Sequence, residues 1–400
     1  MRYRKPNPYL YKGAQAVSWL VSTFIFKRKI LRNEIKDKEG PFVVIANHQA
    51  ALDFVNIIGL TRRPMTFVIS NSFYNSLPVN GILNKLGVIP KQQFQTSTGD
   101  MKKIKAVIDE GQPLVIYPAG LMCEDGISTP IPRATYKFLK WLKADVYVAR
   151  TSGTYFVMPK WTSGLRAGRT YMDVYKLFSK EELAEASLET VQQKTEEALL
   201  FDAYREQEKY LVEYKDSDNI ENLENVLYMC PNCLSEFTMK VKNKNTIYCT
   251  ACGYAEESDK FSFLHRKGNI GRELRYVSDW SRLIFQRLKE KLANDIDSRL
   301  SAETKIHMLD FQKHKFAEVG EGTVSLSRKH FLLEGRINGE PVSLTVPIRN
   351  VPTLPFSPGK QIEIQDGGTI YRCVLKDGRL AMKFINMVKA FYELENAVKA

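Results

Sequence analysis

The sequence predicts an α/β fold: a layered α/β core, followed by a zinc ribbon and a C-terminal β-rich domain that ends in a helix. Three observations carry this. Apolar strand-like runs alternate with amphipathic helical runs over residues 39–215; two Cys-x2-Cys pairs follow; and short alternating runs with Asn-Gly and Asp-Gly turns then lead into a last apolar-striped helix. A chain of 400 residues exceeds the size at which single cores usually stop growing, so two to four units are expected. Hydrophobic and charged contents of 44% and 26% are those of a folded globular chain, excluding extensive disorder and a polytopic membrane protein.

From the N-terminus, residues 1–38 read as a basic, amphipathic, membrane-interfacial segment. Arg2, Arg4, Lys5 and Lys12 precede an apolar run over 14–26, and Lys27, Arg28, Lys29 and Arg32 follow it. The run falls short of the roughly 20 residues needed to span a bilayer. It fits a helix lying in the interface, with Trp19, Leu20, Phe24 and Phe26 in the acyl boundary and its basic flanks on anionic head groups. The competing reading is an ordinary helix covering the core. No small-residue cleavage site follows the run, which argues against a secretory signal. The net charge of +13 also points to an anionic partner.

The run 42–46 then delivers Asn47 and His48, with Asp53 five residues later. A hydroxyl is a poor nucleophile near neutral pH. Acyl transfer to it calls for a neutral imidazole to accept the proton and a carboxylate to fix the other ring nitrogen. His48 and Asp53 have the chemistry for these catalytic roles; the bland alternative is that Asp53 caps a helix over 54–60. Downstream, 66–70 is a strand, Asp100 caps a helix through Asp109 that Gly111 stops, and 113–117 is a strand delivering Tyr117, Pro118, Ala119 and Gly120 at its C-terminal end. A helix over 134–142, a strand over 145–149 and, after the capping-box signal Ser179 to Glu182, one long helix over 181–210 complete the core.

In the order His48-x4-Asp53, then Leu86 to Lys91, then Val115 to Met122, residues 40–215 resemble the glycerolipid (1-acylglycerol-3-phosphate type) acyltransferase family. The resemblance implies a glycerolipid-acyltransferase-like core with His48 as general base and Asp53 as its orienter. It implies acyl-CoA or acyl carrier protein as co-substrate, a lipid or small-molecule acceptor and a role in phospholipid biosynthesis. Two departures bear on the acceptor: the second motif ends in Lys91 where arginine is usual, and Ala119, Leu121 and Met122 replace Glu, Thr and Arg of the third. A lysine offers a point charge in place of a bidentate fork. Lys91, Tyr117, Pro118, Gly120 and Arg133 are the candidate substrate-binding residues. The readings left open are a different acceptor, a phosphate site rebuilt on cations such as Arg133, and a catalytically silent lipid-binding or scaffolding protein on the same fold.

Over 226–258, Cys230-Pro-Asn-Cys233 and Cys249-Thr-Ala-Cys252, fifteen residues apart, supply four thiolates for tetrahedral zinc on a small hairpin. A unit of about 30 residues has too little core to fold alone, so the zinc is structural. The cysteine pattern suggests a reducing compartment, placing the protein peripherally on the cytoplasmic face of the cell membrane. Nucleic-acid binding by Lys240, Lys242 and Lys244 is disfavoured by the acids nearby. Residues 259–300 read as a helical connector, with a helix from Ser278 to about Ile296. In 301–400, strands over 323–327, 331–334, 342–348, 361–364 and 369–375, turns at 338–339, 366–367 and 377–378, and a helix over 380–398 resemble the pleckstrin-homology-like fold. Cys123 reads as an inert core thiol, and His265, His307, His314 and His330 as surface or loop histidines.

Overall fold

The computed structural model describes residues 3–76, 80–91, 97–310, 313–366 and 368–397. Arg2, Gly367 and Val398 lie outside them. The chain divides into two compact units, Met1–Pro159 with Gly164–Asp216, and Lys160–Ser163 with Ser217–Ala400.

The first unit is built on seven strands: β1 Lys29–Asn33, β2 Phe42–Ala46, β3 Thr66–Ser70, β4 Ile89–Lys91, β5 Leu114–Ile116, β6 Asp145–Ser152 and β7 Tyr171–Phe178. Their order is β1-β7-β6-β2-β5-β3-β4. Strands β6, β2, β5, β3 and β4 are mutually parallel, whereas β7 runs antiparallel to β6 and parallel to β1. Every residue of β2 is buried, because both faces of a parallel sheet are covered. Alternation along the strand splits them: Val43 and Ile45 join one core with Ile104, Leu139 and Val191, and Phe42, Val44 and Ala46 join another with Tyr11 and Ile57. The result is three layers, with the helices Thr98–Asp109, Ala134–Leu142 and Leu188–Leu199 on one face and Pro8–Phe24 and Asp53–Ile58 on the other.

Several local expectations change. Ser97, not Asp100, caps the helix Thr98–Asp109, its side chain accepting from Asp100 N, so Asp100 sits in the first turn. The single helix expected over 181–210 is three: Lys180–Glu185 with the Ser179–Glu182 capping box, Leu188–Leu199 capped by Ser187, and Ala203–Tyr210 capped by Asp202. Ser187 and Asp202 hydrogen-bond to backbone N–H groups two or three residues on and restart the chain each time. Strands β1 and β7 were not legible in the sequence.

The helix Pro8–Phe24 packs with an unusual polarity. Tyr11, Ser18 and Ser22 face inward, and the Ser18 and Ser22 hydroxyls both donate to Val55 O. At about 100° per residue, Tyr9, Val17, Leu20 and Phe24 form the opposite face. They are exposed, Leu20 at 48% and Phe24 at 65%, and Trp19 on the flank at 59%. Phe26 departs from the expectation: it is wholly buried, and its carbonyl accepts from Thr170 N and Oγ1. The chain has left the helix by then and turned into the core.

In the second unit, β8 Met239–Lys242, β9 Thr246–Cys249, β10 Ala255–Ser258 and β11 Leu264–Arg266 form an antiparallel sheet in the order β11-β10-β9-β8. A helix Val277–Asn294 follows, and Trp280 donates from its indole N–H to Met229 O at 2.9 Å. Then come β12 Leu300–Asp310, β13 Lys315–Leu326, β14 His330–Ile337, β15 Glu340–Pro347, β16 Phe356–Ser357, β17 Gln361–Asp366 and β18 Thr369–Leu375, in the antiparallel order β15-β14-β13-β12-β18-β17-β16. The sequence missed β12 and β16. Asn338 and Gly339, both at positive φ, make the two-residue hairpin turn between β14 and β15. The helix Leu380–Ala397 covers this sheet through Phe384, Ile385, Val388 and Phe391. Its Lys383 pairs with Glu236 of the cysteine-bearing segment at 2.5 Å.

Candidate active site and cysteine cluster

Strands β2 and β5 are parallel neighbours in register Ile45 with Ile116, so the loops leaving their C-terminal ends start side by side. One carries His48, the other Tyr117 to Gly120. The two aromatic rings meet at 4.5 Å between centroids, tilted by 33°. His48 and Ala119 line one small cleft together with Thr129, Ile131 and Phe201.

Asp53 stands in the first turn of the helix Asp53–Ile58 and makes no capping bond to it. Its fully buried carboxylate turns back instead. Oδ2 lies 3.0 Å from His48 Nδ1 and accepts from Gln49 N at 2.6 Å and Ala50 N at 2.8 Å. A carboxylate oxygen with that many N–H partners is fixed in place, and it puts the imidazole proton on Nδ1, leaving Nε2 as the basic nitrogen. The His48 side chain is 20% exposed and lines the cleft. Among the described residues, Asp53 Oδ1 and the Tyr117 hydroxyl are buried and find no hydrogen-bond partner. Burial, and secondarily the charge of Asp53, hold the Tyr117 phenol well above its usual range, so it is neutral at any physiological pH.

The loop is tied down on both sides of the histidine. Asn47 exchanges bonds with Thr151, Nδ2 donating to its carbonyl and Oδ1 accepting from its N–H, both at 2.8 Å. Gln49 donates from Nε2 to the same carbonyl and accepts at Oε1 from Thr154 Oγ1 and Tyr155 N. Nothing in the sequence pointed to Thr151 or Thr154, which lie about a hundred residues away on and after β6. Asn47 and Gln49 stand beside the histidine but carried no signal of this role.

The remaining candidates lie on the same sheet edge or near it. Lys91 ends β4, with β3 and β5 between it and β2, a lateral separation of about 14 Å. Burial lowers its pKa, and Asp100 opposes that shift. Pro118 is buried and Gly120 exposed; Gly120 sits at φ +71° with its N–H donating to Tyr117 O at 3.0 Å, so this N–H is engaged within the turn. Arg133 is exposed at the start of the helix Ala134–Leu142, just beyond Ile131 of the cleft. Cys123 is buried with its thiol toward Gln49 O at 3.7 Å, and burial and nearby carboxylates push that thiol well up, away from nucleophilic chemistry.

In the second unit the Cys230, Cys233, Cys249 and Cys252 sulfurs all lie within 4.8 Å of one another. Cys230 to Cys252 is 3.6 Å and Cys233 to Cys249 is 3.7 Å. A tetrahedron with bonds of about 2.3 Å has ligand separations of about 3.8 Å, so the cluster fits a zinc-sized ion. Asn232 Nδ2 donates to Cys252 Sγ at 3.5 Å, and the Thr238 hydroxyl lies 3.3 Å from Cys249 Sγ, the outer hydrogen bonds that thiolate ligands attract. Four sulfurs fill a tetrahedron, which makes such a metal structural.

Residues 27–161, about a third of the chain, match the family model described as Acyltransferase, and this segment holds β1 to β6 with His48 and Asp53. None of the curated proteins matches the chain. Among solved structures it is similar to the 1-acyl-sn-glycerophosphate (LPA) acyltransferase PlsC from Thermotoga maritima. The identity is 16% and the TM-score 0.40, over 48% of this chain and 77% of that one. It is also similar to the Ran binding domain of Nup2 from Ashbya gossypii, at 16% identity and TM-score 0.18, over 26% of this chain and 98% of that one.

Proposed function

We propose, from the acyltransferase domain in residues 27–161 as premise, that the protein moves a fatty acyl group from acyl-CoA or acyl carrier protein to a hydroxyl or amine of a lipid or small-molecule acceptor. The observation that carries this is the His48–Asp53 pair: an imidazole held at Nδ1 by a buried carboxylate and lining a cleft, on the C-terminal edge of a parallel sheet. His48 Nε2 takes the acceptor's proton as its oxygen or nitrogen attacks the thioester carbonyl. The tetrahedral oxyanion collapses, the carbon–sulfur bond breaks, and His48 returns the proton to the thiolate, giving an ester or amide and a free thiol. Asp53 holds the ring throughout and stabilises the imidazolium. Tyr117 packs against the ring. Lys91 and Arg133 are the cations available for an anionic part of either substrate.

The protein works as a peripheral, monotopic enzyme on the cytoplasmic face of a membrane. Among the described residues no helix is long and apolar enough to cross one. The outward stripe of Tyr9, Val17, Leu20 and Phe24, in a segment with basic residues before and after it, supports interfacial binding. In the second unit, a seven-stranded antiparallel sheet with β12 between β13 and β18 and one C-terminal helix supports the pleckstrin-homology-like reading. The four cysteines of that unit would hold a structural zinc, on a ribbon.

The test is mass spectrometry of products from purified protein and its His48→Ala variant. Donors are long-chain acyl-CoA or acyl carrier protein; acceptors are a panel of lysophospholipids, glycolipids and amino alcohols. A product that requires His48 establishes the reaction and identifies the acceptor. No product from folded, zinc-loaded protein with any donor would transfer the fold to a silent lipid-binding role.

A further inference from the structure

A second cleft opens at the other edge of the parallel sheet. It has a volume of about 310 Å³ and lies between the helix Pro8–Phe24 and the turn that follows the helix Asp53–Ile58. Lys36, in the loop before β2, and Arg62, before β3, place it at the N-terminal ends of these strands. His48 follows the C-terminal end of β2, five residues or about 16 Å away. It is therefore distinct from the candidate active site.

Among the described residues, three cations line this cleft, Arg28, Lys36 and Arg62, and no carboxylate does. Arg28 is half-buried and donates one hydrogen bond, to Asn56 O. Burial lowers the pKa of its guanidinium. Among the described residues neither Arg28 nor Lys36 has an acidic partner, whereas Arg62 meets Asp37 at 3.2 Å on the exposed rim. A desolvated guanidinium with five N–H groups and one acceptor is a group waiting for an anion. Gly59 keeps the space open: a Cβ there would stand 3.9 Å from Arg28 Nη2, in ordinary contact, and anything larger would fill the cleft. Trp19 forms another wall, on the flank of the helix whose apolar stripe faces outward.

We propose that this cleft binds the phosphate of an anionic phospholipid head group. The inference rests on the membrane placement proposed above. A helix lying in the interface buries its apolar face some 5–10 Å deep, which brings its flank, and so Trp19 and the three cations, to the level of the phosphates. The arginines can each give a phosphate two parallel hydrogen bonds, and Lys36 adds a point charge. The site would select membranes by charge and fix the rotation of the helix about its axis, without touching the acyl-transfer chemistry.

The experiment is vesicle sedimentation of the full zinc-loaded chain on phosphatidylcholine with and without phosphatidylglycerol. Three variants are compared: Lys36→Gln with Arg62→Gln, both exposed; Gly59→Leu, which fills the cleft at constant charge; and Lys102→Gln with Lys137→Gln, exposed lysines elsewhere on the same unit. The first two are expected to lose on the order of tenfold in affinity for the anionic vesicles. They should keep wild-type binding to neutral ones, and the third should change little. Equal losses in the first and third, with Gly59→Leu unaffected, would reduce the effect to diffuse charge and overturn the site. A melting shift with soluble glycerol phosphate that requires Lys36 and Arg62, without any change in vesicle binding, would replace the lipid by a free phosphate ester. Wild-type protein that binds neither vesicle would overturn the membrane placement, and with it this inference.

Discussion

At the scale of single residues, the most consequential group is Asp53, because one buried oxygen serves an imidazole and two backbone N–H groups at once. Asp53→Asn keeps the shape, and its amide oxygen can keep the three contacts of Oδ2, but the negative charge that stabilises the imidazolium is lost. We expect kcat/KM to fall by about 10²–10⁴-fold with the melting temperature little changed, read from steady-state rates and calorimetry. Tyr117→Phe should act in the opposite sense. Its hydroxyl is buried with no partner among the described residues, so removing it should raise stability by about 1 kcal/mol in denaturant titrations and leave KM alone. A raised KM would instead give that hydroxyl to the substrate. How much of this was legible follows from the distances along the chain. His48 and Asp53 are five apart and could be read as a pair. Thr151, which fixes Asn47 and Gln49, is about a hundred residues away, and no local pattern could assign it. Glu256 offers a pH-dependent case in the second unit. Burial raises its carboxyl to about 7, against the opposing bonds from the Tyr254 hydroxyl and Leu274 N. A carboxyl with a raised folded-state pKa contributes stability that is complete below its unfolded value of about 4.5 and is lost as pH climbs through 7. Melts of the wild type should thus weaken between pH 5 and 8 by on the order of 3 kcal/mol, and those of Glu256→Gln should be flatter over the same window.

At the scale of elements, caps decided what periodicity could not. The apolar rhythm over 181–210 runs on through Ser187 and Asp202, and it suggested one helix, but each of these side chains accepts from backbone N–H groups just beyond it and opens a new one. Strand β12 was missed for a related reason. It lies between β13 and β18, and its outer half is only partly buried, so the alternation fades. The cysteine hairpin is the opposite case, since ligand type and spacing specify it without help from a core. Its sheet has four short strands and leans on Trp280 and Met229. Metal removal should therefore be costly. A chelator, or Cys249→Ser, is expected to lower the melting of the second unit by several kcal/mol, while circular dichroism retains the α/β signal of the first. An unchanged melt after verified metal loss would remove the structural role.

At the scale of the whole molecule, the proposed membrane partner rests on two features, the net charge of +13 and the outward apolar stripe near the N-terminus. Leu20→Glu with Phe24→Glu should leave the fold intact, since both side chains are exposed, and should cut vesicle binding by at least tenfold in sedimentation. Unaltered binding would mean that the stripe is not what meets the bilayer. The amino-acid sequence by itself determined the candidate chemistry: a base with its orienter, four thiolates at metal spacing, and an alternation of elements that calls for a layered core. These are local facts, carried by residue type and short separations. Tertiary structure alone decided which face of the first helix looks outward, that Phe26 turns inward, and that Tyr117 packs on His48. It also decided that Arg28, Lys36 and Arg62 line one cleft with no carboxylate among the described residues that line it. Each of those depends on the strand order β6-β2-β5-β3 and on which side chains find room beside it, and burial is settled by the packing of distant segments, not by neighbours in the chain.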